Sequence, residues 1–390
     1  MTSPFEHFGT SAIHAGQSPD KWDLNQISPP ISLSTTYKQS EPGIFKGNYD
    51  YSRDANPTRI ALEENLAALE NASHCKVFPS GLAAISAMLK LVKHGEHIIC
   101  AEDIYGGTLC LMEEVIQKID GIEVTYIDCT NNDSMKKALK SNTKLVLFES
   151  HTNPTLKIVD IEEITTLVKN FNRDILVVVD NTFMTPYFQR PLSFGVDMVM
   201  HSCTKYINGH GDVMMGVVMT NFEQLDNHLH LMQKTAGSIP SPFECFLAMR
   251  GTKTLHVRMR VHMENALAIA KFLENSPKIE KVIFPLFESH PQHKIHMKQA
   301  KGMSGMVSFY IKGGAEETNK FLCKLKLISI AASLGDVESI VMAPFLMITF
   351  NANEEALKKK GITPNLVRLS VGLEEKEDLI ADLKQALEDS

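Results

Sequence analysis

No apolar stretch of the 390-residue chain approaches the ~20 residues that a bilayer-crossing helix needs. Basic residues are outnumbered: 39 Lys and Arg stand against 46 Asp and Glu, for a net charge of −7. That balance gives no overall electrostatic reason to seek nucleic acid or an anionic membrane. The seven cysteines include no CxxC pair, and their odd number disfavours a disulfide framework as well as a structural zinc site. The first residues, Met1 to His7, lack a basic stretch followed by an apolar one and are not Arg-rich, so no secretory leader or transit peptide is expected. Internal repeats and low-complexity tracts are also lacking. What remains is a soluble chain with free thiols, expected in the cytoplasm, whose 44% apolar residues suffice for two or three packed units.

Residues 1–50 are polar and turn-rich, punctuated by Pro29-Pro30, Pro42-Gly43 and Gly47-Asn48, without helical periodicity. They read as an arm contacting a neighbouring subunit, with Ile31–Tyr37 ordered and extended. From residue 51 to about 245 the pattern is α/β. Leu62, Leu66 and Leu69 set a helix over 58–73, and 106–119 and 160–172 fit crossover helices. Unalternated apolar runs at 97–100, 124–127, 144–148, 175–179, 198–200 and 216–219 predict strands buried on both faces, as in a mostly parallel sheet. Residues 246–390 read as a smaller α+β unit. It has helices at 253–275, 315–325 and 375–388 and strands at 281–284, 306–311 and 367–371.

Three features carry chemistry. The run 175–179 ends on Asp180, which puts a carboxylate at the strand edge where ligands sit in open α/β sheets. Alone, such an acid is more often a helix cap or a structural hydrogen bonder. The run 198–200 leads into Ser202, Thr204 and Lys205 and then the Gly209 turn. A lysine directly after a buried strand is costly to keep there, and desolvation turns its amine into a nucleophile. Finally, Ser80-Gly81-Leu82 opens a helix whose free N–H groups make an anion site. An acid for a pyridinium nitrogen, a lysine for an aldehyde and a phosphate cup are together the requirements of pyridoxal 5'-phosphate.

On these residues, and on the Asp197–His210 segment with its Ser-Cys-Thr-Lys-Tyr core, the chain resembles the Cys/Met-metabolism pyridoxal-phosphate enzymes. The likeness runs from Pro29 to about Leu387. Asn181–Pro191, Thr252–Met259, Ser289–His293 and Arg368–Glu374 are similar to the animal-type cystathionine γ-lyases of that family. The resemblance implies a fold type I, aspartate-aminotransferase-like architecture with helices on both faces of the large sheet. It implies a carbon–sulfur lyase of transsulfuration, splitting cystathionine by γ-elimination, with cysteine desulfhydration as a possible side activity. The alternatives are a methionine γ-lyase-like or other γ-elimination or replacement enzyme with an altered distal pocket, and a non-catalytic structural or binding protein on the same fold.

By the same resemblance, Lys205 would hold the cofactor and move protons. Asp180 would pair with the ring nitrogen. The amides of Gly81 and Leu82 and the hydroxyls of Ser202 and Thr204 would bind phosphate, and Tyr105 would stack on the ring and assist catalysis. Tyr51 and Arg53 would reach the phosphate of a neighbouring subunit, so a homo-oligomer, a dimer of dimers, is implied. Arg368, helped by Asn153 and Ser333, would clamp the amino-acid substrate's α-carboxylate.

Several positions depart from the family pattern. Leu109 and Cys110 stand in place of Asn-Arg, Ala332 in place of Glu, Ile348 in place of Thr, His151 in place of Pro and Gly211 in place of Ser. Cys110, Ala332 and Ile348 would make the distal pocket apolar. Gly107 stands where methionine γ-lyases carry Cys. The cluster His290, His293, His296 would lie at the surface of the smaller unit and not hold metal.

Overall fold

The computed structural model describes residues 3–47, 49–347 and 354–388. Its centre is a seven-stranded sheet of β1 (His74–Phe78), β2 (His97–Ala101), β3 (Glu123–Ile127), β4 (Thr143–Glu149), β5 (Leu176–Asp180), β6 (Met198–Ser202) and β7 (Gly216–Thr220), in the order β1-β7-β6-β5-β4-β2-β3. Only β7 runs antiparallel to its neighbours.

The apolar runs explain why. Successive side chains of a strand point to opposite faces. Val146, Phe148, Val177, Val179 and Val199 join one core cluster, whereas Leu145, Leu147, Val178, Met198 and Met200 join the other. Helices cover both faces. Pro57–Glu70 buries Ala61, Leu62, Leu66 and Leu69 at helical spacing, and Gly81–Leu89 buries Ile85, Met88 and Leu89. Truncating any of those leucines to alanine would cost about 2–5 kcal/mol.

All the strands expected from the apolar runs are present. β1 was not anticipated, because His74 and Lys76 interrupt its hydrophobicity. The helix expected at 106–119 begins as Gly106–Cys110 and continues through Leu111–Gln117 with a wider, π-type winding. The polar first fifty residues contain a helix that periodicity did not reveal, Phe8–His14, which packs fully buried Phe8 and Ala12 into the main core. Ile31–Tyr37 forms no strand, with a bend at Thr35 and a single bridge from Thr36 to Tyr51, and Leu24, Ile27 and Leu33 are exposed.

A second sheet contains β8 (Ile279–Ile283), β9 (Met306–Ile311), β10 (Ser329–Ile330), β11 (Ile340–Met342) and β12 (Leu366–Ser370), ordered β10-β11-β12-β9-β8. β10 and β11 are too short for periodicity to reveal. The helices Leu255–Glu274, Ala315–Lys324 and Lys376–Glu388 match the expected positions. Among the described residues, no helix is long and apolar enough to cross a membrane.

Candidate active site

Parallel pairing sets the floor of the site. Glu149 is the register partner of Asp180, and β6 runs two residues beyond Asp180's partner Met200 to end on Ser202, so three strand ends present polar groups to the site. The Ser80 side chain caps the helix Gly81–Leu89 by accepting from the Ala83 N–H at 3.0 Å. The amides of Gly81 and Leu82, at the first turn, have no intrahelical acceptor. The cap turn lies so close to the sheet that a Cβ on Gly216 would sit 2.3 Å from the Ser80 carbonyl oxygen. Only glycine permits that approach.

Above this floor is a cavity of about 240 Å³. Gly81, Leu82, Tyr105, Asn153, Asp180, Ser202, Thr204, Lys205, Ser333 and Arg368 all line it, ten of the twelve positions singled out from sequence. Tyr51 and Arg53 do not. They are exposed, with the Arg53 guanidinium 5.3 Å from the Tyr51 ring centroid and bonded to the Lys234 carbonyl.

The second sheet supplies the far wall. Arg368, in the middle of β12, donates from Nη1 to Asn153 Oδ1 at 2.9 Å and from Nη2 to the Ser333 carbonyl at 2.8 Å. Its Nε is buried without a partner. Burial pulls its pKa down to about 10. Lys205 Nζ donates to Ser333 Oγ at 3.0 Å. Burial, and then the Arg368 charge, lower the lysine pKa and so raise the share of free amine. Ser333 itself is held in place because the Gly335 N–H donates to Ser370 Oγ at 2.8 Å.

Asp180 is oriented by Thr182, whose N–H and hydroxyl donate to Oδ1 at 2.9 and 2.5 Å. The Thr182 hydroxyl oxygen in turn accepts from the Ser202 N–H at 2.8 Å. Burial raises the Asp180 pKa, with the Thr182 bonds opposing. A cation beside it would offset that burial cost.

Tyr105 stands half-exposed at the mouth. A Cβ on Gly107 would lie 2.4 Å from its Cε1, so a side chain at 107 would displace the ring. A pyridinium partner, an attaching amine, an anion cup and a ring platform therefore converge, and the residues fit pyridoxal phosphate.

The motifs did not single out Glu149 or Thr182, although both line the cavity. Glu149 at least had a visible signal: like Asp180, it is an acid ending a buried run. The distal expectations fare unevenly. Ala332 is on the wall, whereas Cys110 is exposed and absent from the lining, because the helix Gly106–Cys110 carries it away from the cavity. Ile348 lies outside the described residues. Gly211 has φ +65, and a Cβ there would collide with the Asp336 carboxylate.

The histidine segment is not at the surface as expected. The helix His293–Gln299 docks against the loop after β4, so His296 is fully buried and its Nδ1 lies 2.8 Å from His151 Nε2, and His290 is buried too. His151 also lines the cavity. Burial lowers the pKa of His151 well below the ordinary histidine value and that of His296 from 6.5 to about 4, so both rings are neutral at pH 7, one donating and one accepting.

Because the folded pKa is depressed, the stability of the pair is intact above about 6.5 and is lost as pH falls toward 4, where the unfolded chain binds protons that the folded one refuses. The unfolding free energy of wild type relative to His296→Asn should therefore shrink by about 2 kcal/mol between pH 7 and 5, at about 1.4 kcal/mol per unit below 6.5. Urea titrations at the two pH values test this, and a gap that stays constant would show that the pair is not neutral.

The family model described as Cys/Met metabolism PLP-dependent enzyme matches residues 9–388. A Caenorhabditis elegans protein carrying a cystathionine gamma-lyase name is 55% identical over 383 residues, covering 98% of this chain and 97% of that one. Cystathionine gamma-lyase of Homo sapiens is 48% identical over 383 residues, covering 98% and 94%. The crystal structure of metB from Corynebacterium glutamicum superposes with a TM-score of 0.93 at 42% identity, covering 99% of each chain.

Proposed function

The chain belongs to the Cys/Met-metabolism family of pyridoxal-phosphate-dependent enzymes, and from that premise we propose that it is a cystathionine γ-lyase, cleaving cystathionine to cysteine, 2-oxobutanoate and ammonia. The observation that carries the reading is the meeting of Lys205 with Arg368 through Ser333, directly above the Asp180 floor. When bound, the cofactor supplies an aldehyde for the amine and a protonated ring that makes Cα–H acidic.

The protein's residues do the rest. Asp180 would hold the ring nitrogen and its proton. Arg368 and Asn153 fix the α-carboxylate, so that the Cα–H points toward Lys205. Nζ of Lys205, on a flexible stem and with its pKa lowered by burial, would take the Cα proton and then serve Cβ, as γ-elimination demands. The amides of Gly81 and Leu82 and the hydroxyls of Ser202 and Thr204 would hold the phosphate, and Tyr105 would stack on the ring and pass a proton to the leaving sulfur.

Tyr51 and Arg53 are exposed and away from their own chain's cavity, which supports a role at the partner's site. The exposed Leu24, Ile27 and Leu33 of the arm suit burial against another copy. We propose a homotetramer built as a dimer of dimers, located in the cytoplasm. Its chain would divide into the arm 1–50, a cofactor-binding domain 51–245 and a small domain 246–390.

A second reading has an observation in its favour. Ala332, Leu334, Met200 and Met214 give the cavity apolar surface, which suits a less polar side chain such as methionine's. Gly107, packed under Tyr105, counts against the usual methionine enzyme. A substrate panel of cystathionine, cysteine, homocysteine, methionine and O-acylated homoserines separates the readings. Cystathionine is expected to have the highest kcat/KM, with Ala332→Glu changing its KM; a larger kcat/KM for methionine would overturn the assignment.

A further inference from the structure

Glu149 is buried at the cavity floor and has no part in the chemistry above. Its Oε1 accepts the Tyr105 N–H at 2.6 Å, across the gap between the loops that follow β4 and β2. It stands in register with Asp180 on the adjacent strand. Tyr105 needs such an anchor. It precedes Gly106 and Gly107, two residues with no side chains to pack the turn, and its ring is half-exposed.

We propose that Glu149 is a positioning residue: its carboxyl fixes the Tyr105 turn by accepting that N–H, and so places the ring platform over the Asp180 partner. The proposal rests on the reading of this cavity as the pyridoxal-phosphate site. Its form is specific. Burial and the Asp180 charge push the Glu149 carboxyl well above the ordinary carboxylate range, opposed by the N–H groups of Tyr105 and Asn153. A carboxyl that keeps its proton is mimicked by glutamine, which retains the length and the accepting oxygen. Aspartate keeps the acid but is one methylene short of the Tyr105 amide.

The test compares Glu149→Gln, Glu149→Asp and wild type as holoenzymes, with two readouts besides turnover. Hydrogen–deuterium exchange of the peptide spanning residues 103–110 reports the Tyr105 turn. Equilibrium dialysis reports the dissociation constant of pyridoxal phosphate. In Glu149→Asp the peptide should exchange about tenfold faster, and cofactor affinity should fall about tenfold, with kcat lowered more than KM is raised. In Glu149→Gln both exchange and cofactor affinity should stay within about twofold of wild type. Equal loss in both variants would overturn the neutral-acceptor form, and wild-type exchange in Glu149→Asp would overturn the anchor itself. Should Glu149→Asp not fold, Glu149→Gln alone decides: accelerated exchange there contradicts the proposal. Failure of wild type to bind the cofactor would instead overturn the family-based reading of the site.

Discussion

Lys205→Ala should abolish the visible absorption band that forms when pyridoxal phosphate is added to the protein, and should lower turnover by at least about 10³-fold. Two losses combine. The amine that attaches the cofactor disappears, and so does the base that serves Cα and Cβ. Burial and Arg368 lower the Lys205 pKa, which favours the free amine over what an exposed lysine would offer. Among the described residues no other lysine lines the cavity, so none of them can substitute. Absorption spectroscopy and keto-acid release measure the two effects on one sample. A variant with full turnover would contradict the assigned role, whereas retained fold with lost band and lost turnover is the expected result.

Arg368→Lys should leave the band intact and lower kcat/KM by about 10²–10⁴-fold, chiefly through KM. The guanidinium holds two acceptors at once, Asn153 Oδ1 and the Ser333 carbonyl, while its buried, unpartnered Nε and its charge remain for a carboxylate. Lysine is a point charge on a flexible stem and cannot reproduce that fork. Each charge-assisted bond lost in a buried site is worth about 1.5–3 kcal/mol, which sets the predicted range. Steady-state kinetics with cystathionine across a wide concentration range reads the split. An unchanged KM would show that the carboxylate binds elsewhere.

The contrast between these two variants also separates the layers of the site. Lys205 belongs to the cofactor sheet and acts on the reacting carbon. Arg368 belongs to β12 of the second sheet and acts on the substrate's position. Ser333 touches both, through its hydroxyl on one side and its carbonyl on the other.

Much of this was legible because strong local signals and chemistry coincide. Val177, Val178 and Val179 can only be a doubly covered strand, so Asp180 had to emerge at its end. Ser202, Thr204 and Lys205 follow β6 in the same way, and Ser80-Gly81 announces a helix start. β1 was hidden because His74 and Lys76 break the apolar run, and the Phe8–His14 helix because its few apolar residues take their meaning from the core they enter. His296 looked like a surface residue, since burying a neutral imidazole depends on a partner 145 positions away, His151.

The sequence alone therefore determined the cofactor chemistry, the alternation of strands and helices, and the identity of the lysine, the aspartate and the phosphate turn, because each is set by residues within a few positions of one another. Tertiary structure decided what depends on distant segments meeting. It set Glu149 beside Asp180 by strand register, tied Glu149 to Tyr105, carried Cys110 out of the cavity, and brought Arg368 and Ser333 across from the second sheet to Lys205. Those contacts join segments far apart in the chain, by strand pairing within the first sheet or by reaching across from the second, and no short stretch of the chain carries a signal for them.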